Sequence, residues 1–243
     1  VSRTEEPLVE TITDSTRLRE FYRDAPSGVR ANMIFSADGA AAFAGRAGPL
    51  SCPADQRLLG ELRGYADVVL VGAGTARAEG YGPVRLSEQQ RAERAADGRT
   101  ALPPIAVVSR TGRLPESLFD DPTQRPILIT STEAVKRYGL RPDTRREVVL
   151  AGDEDVDLSL AIEALTDAGM GRILCEGGPT LLNELVAAGL LTELCVTTAP
   201  RLAGTQPVGA ASTISTLPRP GNLSLRHVLV HEQFLFSRYA LTG

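Results

Sequence analysis

Short apolar runs alternate along this chain with segments of helical periodicity. Apolar or β-branched runs lie at Arg30–Phe35, Val68–Val71, Ile105–Val108, Pro126–Thr130, Glu147–Leu150, Arg172–Cys175 and Leu194–Thr198. Helical spacing of apolar positions occupies Pro53–Arg63, Ser87–Ala96, Thr132–Tyr138, Leu158–Ala168 and Thr180–Ala188. Strands alternating with helices predict βαβ units and a largely parallel sheet, an α/β fold. Towards the C-terminus the pattern changes. Ser224–His231 and Phe234–Ala240 alternate in polarity around a short turn and predict an antiparallel hairpin added to the sheet edge. His227 and His231 share a face of that hairpin, but no third ligand accompanies them, so they read as structural. Ser87–Asp97 is polar all round; with Ser87 and Gln90 set for a capping box, it reads as a solvated surface helix. Arg201–Gly221, rich in Gly, Pro, Ser and Thr, is either a rim of a site or a connection.

Composition narrows the class. With 243 residues, 42% hydrophobic and 23% charged, the chain reads as one globular domain over 1–243, residues 1–27 forming an extension packed on or near it. A net charge of −4 argues against a nucleic-acid partner, which would call for a basic stripe. Cys52, Cys175 and Cys195 are odd in number and form no CxxC, so buried thiols in a reducing cytoplasm are expected rather than disulfides or zinc. Only two histidines are present, and no metal site is expected. No apolar run approaches the roughly 18 residues of a membrane span, and the first residues lack a signal-peptide pattern. The expected partner is a small molecule, not a membrane.

The chemistry is plainest from Ile173 to Val186, ILCEGGPTLLNELV. An apolar strand runs into Glu176, then Gly177, Gly178, Pro179 and Thr180, and an amphipathic helix follows. Paired glycines permit positive φ and close backbone approach. A proline suits the first helical turn, and free N–H groups at a helix start attract an anion. A ligand-free strand-to-helix turn has a similar signature; the flanking carboxylate and threonine tilt the reading to a site. Three other strand ends carry polar groups. They are Ser36-Ala37-Asp38-Gly39, the GxG turn Gly72-Ala73-Gly74-Thr75, and Ser109-Arg110-Thr111-Gly112-Arg113. Arg77 stands where the six-residue dinucleotide fingerprint needs glycine, so that motif is absent. Arg110 and Arg113 suit a phosphate, and equally an ordinary surface. In a parallel sheet, the strand ends bearing Ser36, Asp38, Gly74, Thr75, Ser109, Glu176 and Gly178 share one edge and can build one crevice.

SADG at 36–39, VGAGT at 71–75, EGGPTL at 176–181 and LTELCVTTAPRLAG at 191–204 together resemble the reductase domain of the bifunctional riboflavin-pathway deaminase/reductase. The stand-alone pyrimidine-reductase-like proteins of actinobacteria are more similar still. The likeness runs from about Arg30 to the C-terminus, and the HxE and PCxxC of the deaminase half are absent. It implies a three-layer dihydrofolate-reductase-like fold, NADPH as cofactor, and a homodimer. Leu190–Pro200 and the C-terminal hairpin offer apolar edge strands for that pairing. By resemblance, Thr75 and the run Gly178, Pro179, Thr180, Leu181, Leu182, Asn183 and Glu184 contact NADPH, and Glu79 replaces a cofactor-contacting Asp. Gly72, Gly74, Ser109 and Gly177 join them from their places at the crevice. Glu176, Arg63 and Arg85 match substrate contacts, with Asn32 and Ser36 beside them, and Asp38 lies in the SxDG turn near substrate and nicotinamide.

Two departures stand out. Asn32 replaces a lysine four residues before Ser36, and Ala47-Gly48-Pro49-Leu50-Ser51 lacks the family's Ser and Trp. The implied reaction is hydride transfer from NADPH to a heterocycle. The heterocycle is a 5-amino-6-(5-phosphoribosylamino)uracil-like pyrimidine or, alternatively, dihydrofolate; a nucleotide-binding protein without turnover is the rival class. Asp38 and Glu176 are the candidate proton donors, because burial raises a carboxylate's pKa.

Overall fold

The computed structural model describes residues 6–204 and 221–242. Most of the stretch read as a rim or connection, residues 205–220, falls outside the described residues. The strands are β1 (Leu8–Thr11), β2 (Gly28–Ser36), β3 (Val68–Gly72), β4 (Ile105–Val108), β5 (Ile127–Thr130), β6 (Glu147–Leu150), β7 (Arg172–Cys175), β8 (Leu191–Ala199), β9 (Leu223–His231) and β10 (Phe234–Leu241). They form one sheet in the order β1-β9-β10-β8-β2-β7-β3-β4-β5-β6. From β8 to β6 all pairings are parallel, and β10 runs antiparallel to both β8 and β9. The parallel strands β7, β3, β4 and β5 are buried nearly throughout, as apolar runs covered on both faces must be.

Helices fill the two outer layers. On one face lie α1 (Leu18–Tyr22), α2 (Pro53–Tyr65) and α3 (Ala73–Glu79), packed over Val69, Val71, Val107 and Phe236. On the other lie α6 (Leu158–Asp167) and α7 (Pro179–Ala187), over Val68, Leu70, Ile129 and Cys175. Alternate residues of β3 enter opposite cores, the period-two signature of a strand between two helical layers. Leu58 and Leu62, fully buried at helical spacing, anchor α2; burial of each contributes about 1.5–3 kcal/mol. α5 (Thr132–Tyr138) closes a smaller cluster on Leu128, and α4 (Glu88–Ala96) crosses the end of α2.

Three expectations are corrected. The hairpin β9–β10 is not the sheet edge: β1 pairs in parallel with β9 outside it. Four residues, LVET, are too short a run to announce that strand. β8 is likewise interior, between β2 and β10, so neither strand offers the free edge expected for dimer pairing. Finally, α4 has its capping box, but it is not solvated all round. Arg94 is 1% exposed, and its guanidinium donates to the carbonyls of Gly64, Ala66 and Thr100, holding the C-terminal end of α2. Gln90 adds a bond to the Gly60 carbonyl. A charged helix can thus bury one guanidinium where helix-end carbonyls need donors.

The histidines are structural, as read. His231 Nδ1 lies 2.9 Å from the Ile12 carbonyl, and His227 packs edge-on against Tyr22. Burial, with Arg238 nearby, lowers the His227 pKa to about 4. A buried ionic group, Arg30–Glu193–Arg238–Asp24, ties β2, β8 and β10 to the chain after α1, with contacts of 2.5–2.6 Å.

Candidate active site

The carboxyl ends of β2, β7, β3 and β4 share one edge, and two glycine turns meet there. The Gly72 N–H donates to the Gly177 carbonyl at 2.8 Å. A Cβ on Gly178 would come within 2.3 Å of Thr75 Oγ1, and one on Gly177, at φ +80°, within 2.9 Å of Met33 Sδ. Only glycines let the turns before α3 and α7 close on each other. The Gly177–Gly178 peptide bond is cis, and Pro179 opens α7 with Gly178 at its N-cap.

Two cavities flank this junction and share Thr75, Gly178 and Pro179. The larger, about 520 Å³, runs across the ends of β3 and β4 to the start of α7, lined by Gly72, Gly74, Ser109, Thr180 and Leu181 among others. Arg77 and Arg110 stand on its wall. Arg77 donates to the Arg113 carbonyl, and neither guanidinium pairs with a carboxylate among the described residues. The Ser109 hydroxyl accepts the N–H groups of Thr111 and Gly112, fixing the turn that carries Arg110.

The smaller cavity, about 340 Å³, lies between α2 and the loop 41–48. Glu176 is 8% exposed and accepts a two-pronged bond from Arg63, 2.7 Å at each oxygen, plus the Tyr81 hydroxyl at 2.6 Å. Burial alone would lower the Arg63 pKa, but the Glu176 carboxylate outweighs it and holds the guanidinium above its ordinary value. Burial, then Glu176, pushes Tyr81 well up. Asp55, in the first turn of α2, is also 8% exposed, and its carboxylate accepts from Ser51 Oγ at 2.6 Å. Burial raises its pKa, with Ser51 opposing. Asn32 lines the same cavity, and its buried Oδ1 has no hydrogen-bond partner among the described residues.

The RibD C-terminal domain model matches residues 28–228. The chain belongs to the RibD C-terminal domain family. Among curated relatives, the 2,5-diamino-6-ribosylamino-4(3H)-pyrimidinone 5′-phosphate reductase of Archaeoglobus fulgidus is 30% identical over 157 residues, 64% of this chain and 71% of that protein. Its namesake from Methanothermobacter thermautotrophicus is 30% identical over 174 residues, 71% and 77%. A pyrimidine reductase-like protein from Corynebacterium diphtheriae superposes with a TM-score of 0.81 at 28% identity, covering 96% of this chain and 100% of that one. The fold is the three-layer dihydrofolate-reductase-like architecture expected from the motifs.

Within this RibD-type cleft, the structure brings together most but not all of the residues expected there. Gly72, Gly74, Thr75, Ser109, Gly178, Pro179, Thr180 and Leu181 line the larger cavity, and Asn32, Arg63 and Glu176 the smaller. Glu79 lies in the smaller cavity rather than the larger, and its carboxylate holds the Ala47 N–H at 2.6 Å. Leu182 packs into the core beneath α7, Asn183 faces outward, and Arg85 is exposed; none of the three lines either cavity. Ser36, Asp38 and Gly177 lie outside both as well. Asp38 accepts the Ser36 hydroxyl and the N–H groups of Ala203 and Gly204, and these bonds, Ser36 first, hold its carboxyl below the usual range. The pKa expected of a proton donor is therefore reversed there. Glu176 faces the cleft, but both its oxygens are engaged.

Asp55 was missed from sequence. A carboxylate in the first turn of a helix looks like favourable pairing with the helix dipole, and its burial depends on tertiary packing. Among the described residues, no cluster of His, Cys, Asp and Glu can hold a metal ion, and no helix is long and apolar enough to cross a membrane.

Proposed function

We propose that the protein is an NADPH-dependent reductase of an aminopyrimidine-type heterocycle, in the line of the ribosylaminopyrimidine reductases among its relatives. The observation that carries this is the junction at Thr75, Gly178 and Pro179, where a glycine-walled cavity meets a carboxylate-lined one. The first fits the cofactor, because a side chain at Gly178 would fill the cradle that Thr75 and Gly72 close. Gly72, Gly74, Thr75 and Thr180 would hold the diphosphate, with Arg77 and Arg110 for further phosphate charge. NADPH, when bound, supplies the hydride. The chain supplies position, through the stacked glycine turns, and a proton through Asp55. A buried carboxyl with a raised pKa retains its proton further towards neutrality than an exposed one.

Asp55 favours a second substrate reading. Once it has given up that proton, the Asp55 carboxylate matches the paired donors of a ring N–H beside an amino group, an edge that 2-aminopyrimidinones and dihydropterins share. Dihydrofolate therefore stands beside the pyrimidine. Following NADPH absorbance with a ribosylaminopyrimidine and, separately, with dihydrofolate tests both. Oxidation with neither, by protein that still binds NADPH, would leave a nucleotide-binding protein.

A homodimer is part of the proposal, through a different surface from the one expected. Val196, Val228, Val230 and Leu235 project from the β8–β10–β9 face and belong to neither large core. A monomeric mass in sedimentation would reject the dimer.

A further inference from the structure

α3 joins the two cavities. Its first turn carries Gly74 and Thr75 on the larger one, and its last residue, Glu79, lines the smaller one. Gly80, at φ +66°, then turns the chain so that Tyr81 reaches Glu176. Glu79 is poorly placed for its own helix, because a carboxylate in the last turn meets the negative end of the dipole. It turns instead to the loop 41–48, whose residues Ala41, Ala42, Gly45 and Ala47 wall the smaller cavity. Its carboxylate accepts the Ala47 N–H at 2.6 Å and lies 3.7 Å from the Arg46 guanidinium. That loop has little else to hold it. None of residues 41–49 joins an apolar cluster, and the buried flanks are Ala40 and Leu50. Its tip is a tight turn closed by Phe43 and Arg46, with Ala44 and Gly45 both at positive φ. Among the described residues, two side-chain hydrogen bonds tie 41–49 to the rest of the chain: Glu79 to Ala47, and Arg201 to the Pro49 carbonyl. The Arg46 pair is exposed and contributes little. The bond from an ionised acceptor to a backbone amide is the stronger tie.

We infer that Glu79 is a positioning residue for the substrate rather than a cofactor contact, holding the wall of the smaller cavity in place through the Ala47 amide. The inference rests on the reductase reading for what enters that cavity, though not for the bond that holds its wall. With the bond cut, the loop samples other positions and only a fraction of the molecules present a formed cavity. Apparent affinity for the heterocycle falls by that fraction, while hydride transfer in the formed site is unchanged.

The test compares Glu79→Ala with Glu79→Gln, which keeps a neutral acceptor oxygen. In Glu79→Ala, hydrogen exchange of the Ala47 amide, followed by NMR, should quicken by about tenfold. KM for 2,5-diamino-6-ribosylamino-4(3H)-pyrimidinone 5′-phosphate, the compound named for the curated relatives, should rise by about tenfold with kcat within about twofold. The Kd for NADPH should stay within about twofold of the parent's. Glu79→Gln should recover most of the change in exchange and in KM. Parental exchange at Ala47 in Glu79→Ala overturns the inference, and so does an unmoved KM beside faster exchange. A Kd for NADPH weakened by about tenfold or more returns Glu79 to the cofactor. Equal loss in both variants also overturns the inference, because charge rather than the amide bond would then be at work. If the parent does not reduce the pyrimidinone, the reductase reading fails, and exchange at Ala47 together with the NADPH Kd still decides what Glu79 holds.

Discussion

The two halves of the cleft rise from the same sheet edge but are built by different means. The larger cavity is walled at its centre by backbone: Gly72, Gly74 and Gly178 bring main chain to its surface, and each of the two turns before α3 and α7 is a continuous stretch of sequence, although the two lie far apart along the chain. The smaller cavity is mostly side chains brought from afar, Arg63 and Glu176 being 113 positions apart. A backbone cradle is specific for a shape that many proteins share. A side-chain slot is specific for one chain's substrate.

The sharpest way to break the comparison is to put a side chain into the backbone half. Gly178→Val should weaken NADPH binding by about 10–100-fold, because its Cβ must displace Thr75 Oγ1 from a 2.3 Å approach. Fluorescence titration of the cofactor reads this, with circular dichroism confirming the fold. Gly74→Ala is the control: its Cβ meets nothing within 4 Å, so stability should hold and any loss of binding reports on the ligand itself. Equal cofactor affinity in Gly178→Val would mean that NADPH does not use this cradle.

In the side-chain half, Glu176→Gln leaves Arg63 largely buried with a neutral partner. Breaking a buried pair from one side costs about 3 kcal/mol, measured as a shift in urea unfolding. The double variant Arg63→Met/Glu176→Gln should recover part of that loss, because the unpaired charge goes too. If the single variant were as stable as the parent, the pair at 2.7 Å would be decoration rather than a strut.

Asp55 provides a pH test of intermediate size. Its folded pKa lies above its unfolded one because the site is buried. The folded state therefore holds more protons than the unfolded state between the two pKa values, and stability falls as pH rises through that window. Asp55→Asn should flatten this decline and leave the protein at least as stable at neutral pH. It should also lower kcat/KM by about 10–100-fold, the value of a charge-assisted hydrogen bond to the substrate edge. A variant with parental kcat/KM would remove Asp55 from the reaction.

How much of this was legible in the sequence follows the same division. The parallel strands and the glycine turns are local patterns, and about half of the larger cavity's lining, Gly72, Gly74, Thr75, Ser109 and Gly178 to Leu181 among it, lies in segments the sequence singled out, whereas Ala73, Val108, Asp155 and Val156 were not named as site residues. Asp55 was hidden in PADQRLL, since only its contact with Ser51 and its position over the sheet make it a site residue. Arg94 was hidden for the same reason: a charged helix gives no sign that one arginine will cap a neighbour's carbonyls. β1 escaped because four residues carry too little alternation to register. Asp38 misled because a polar strand-end turn looks alike whether it faces a ligand or pins a loop.

Asp38 is also where the smallest effect is expected. Its carboxylate ties the SADG turn to the backbone of Ala203 and Gly204, outside both cavities. Asp38→Asn keeps the shape and one acceptor oxygen but loses the charge that strengthens those bonds. The segment 201–204 should loosen, KM should rise by no more than about fivefold, and kcat should hold, since a single neutral-for-charged hydrogen-bond change contributes about 1 kcal/mol. A fall in kcat of a hundredfold or more with KM unchanged would return Asp38 to the chemistry, against its place outside both cavities and the hydrogen bonds that hold its carboxyl below the usual range.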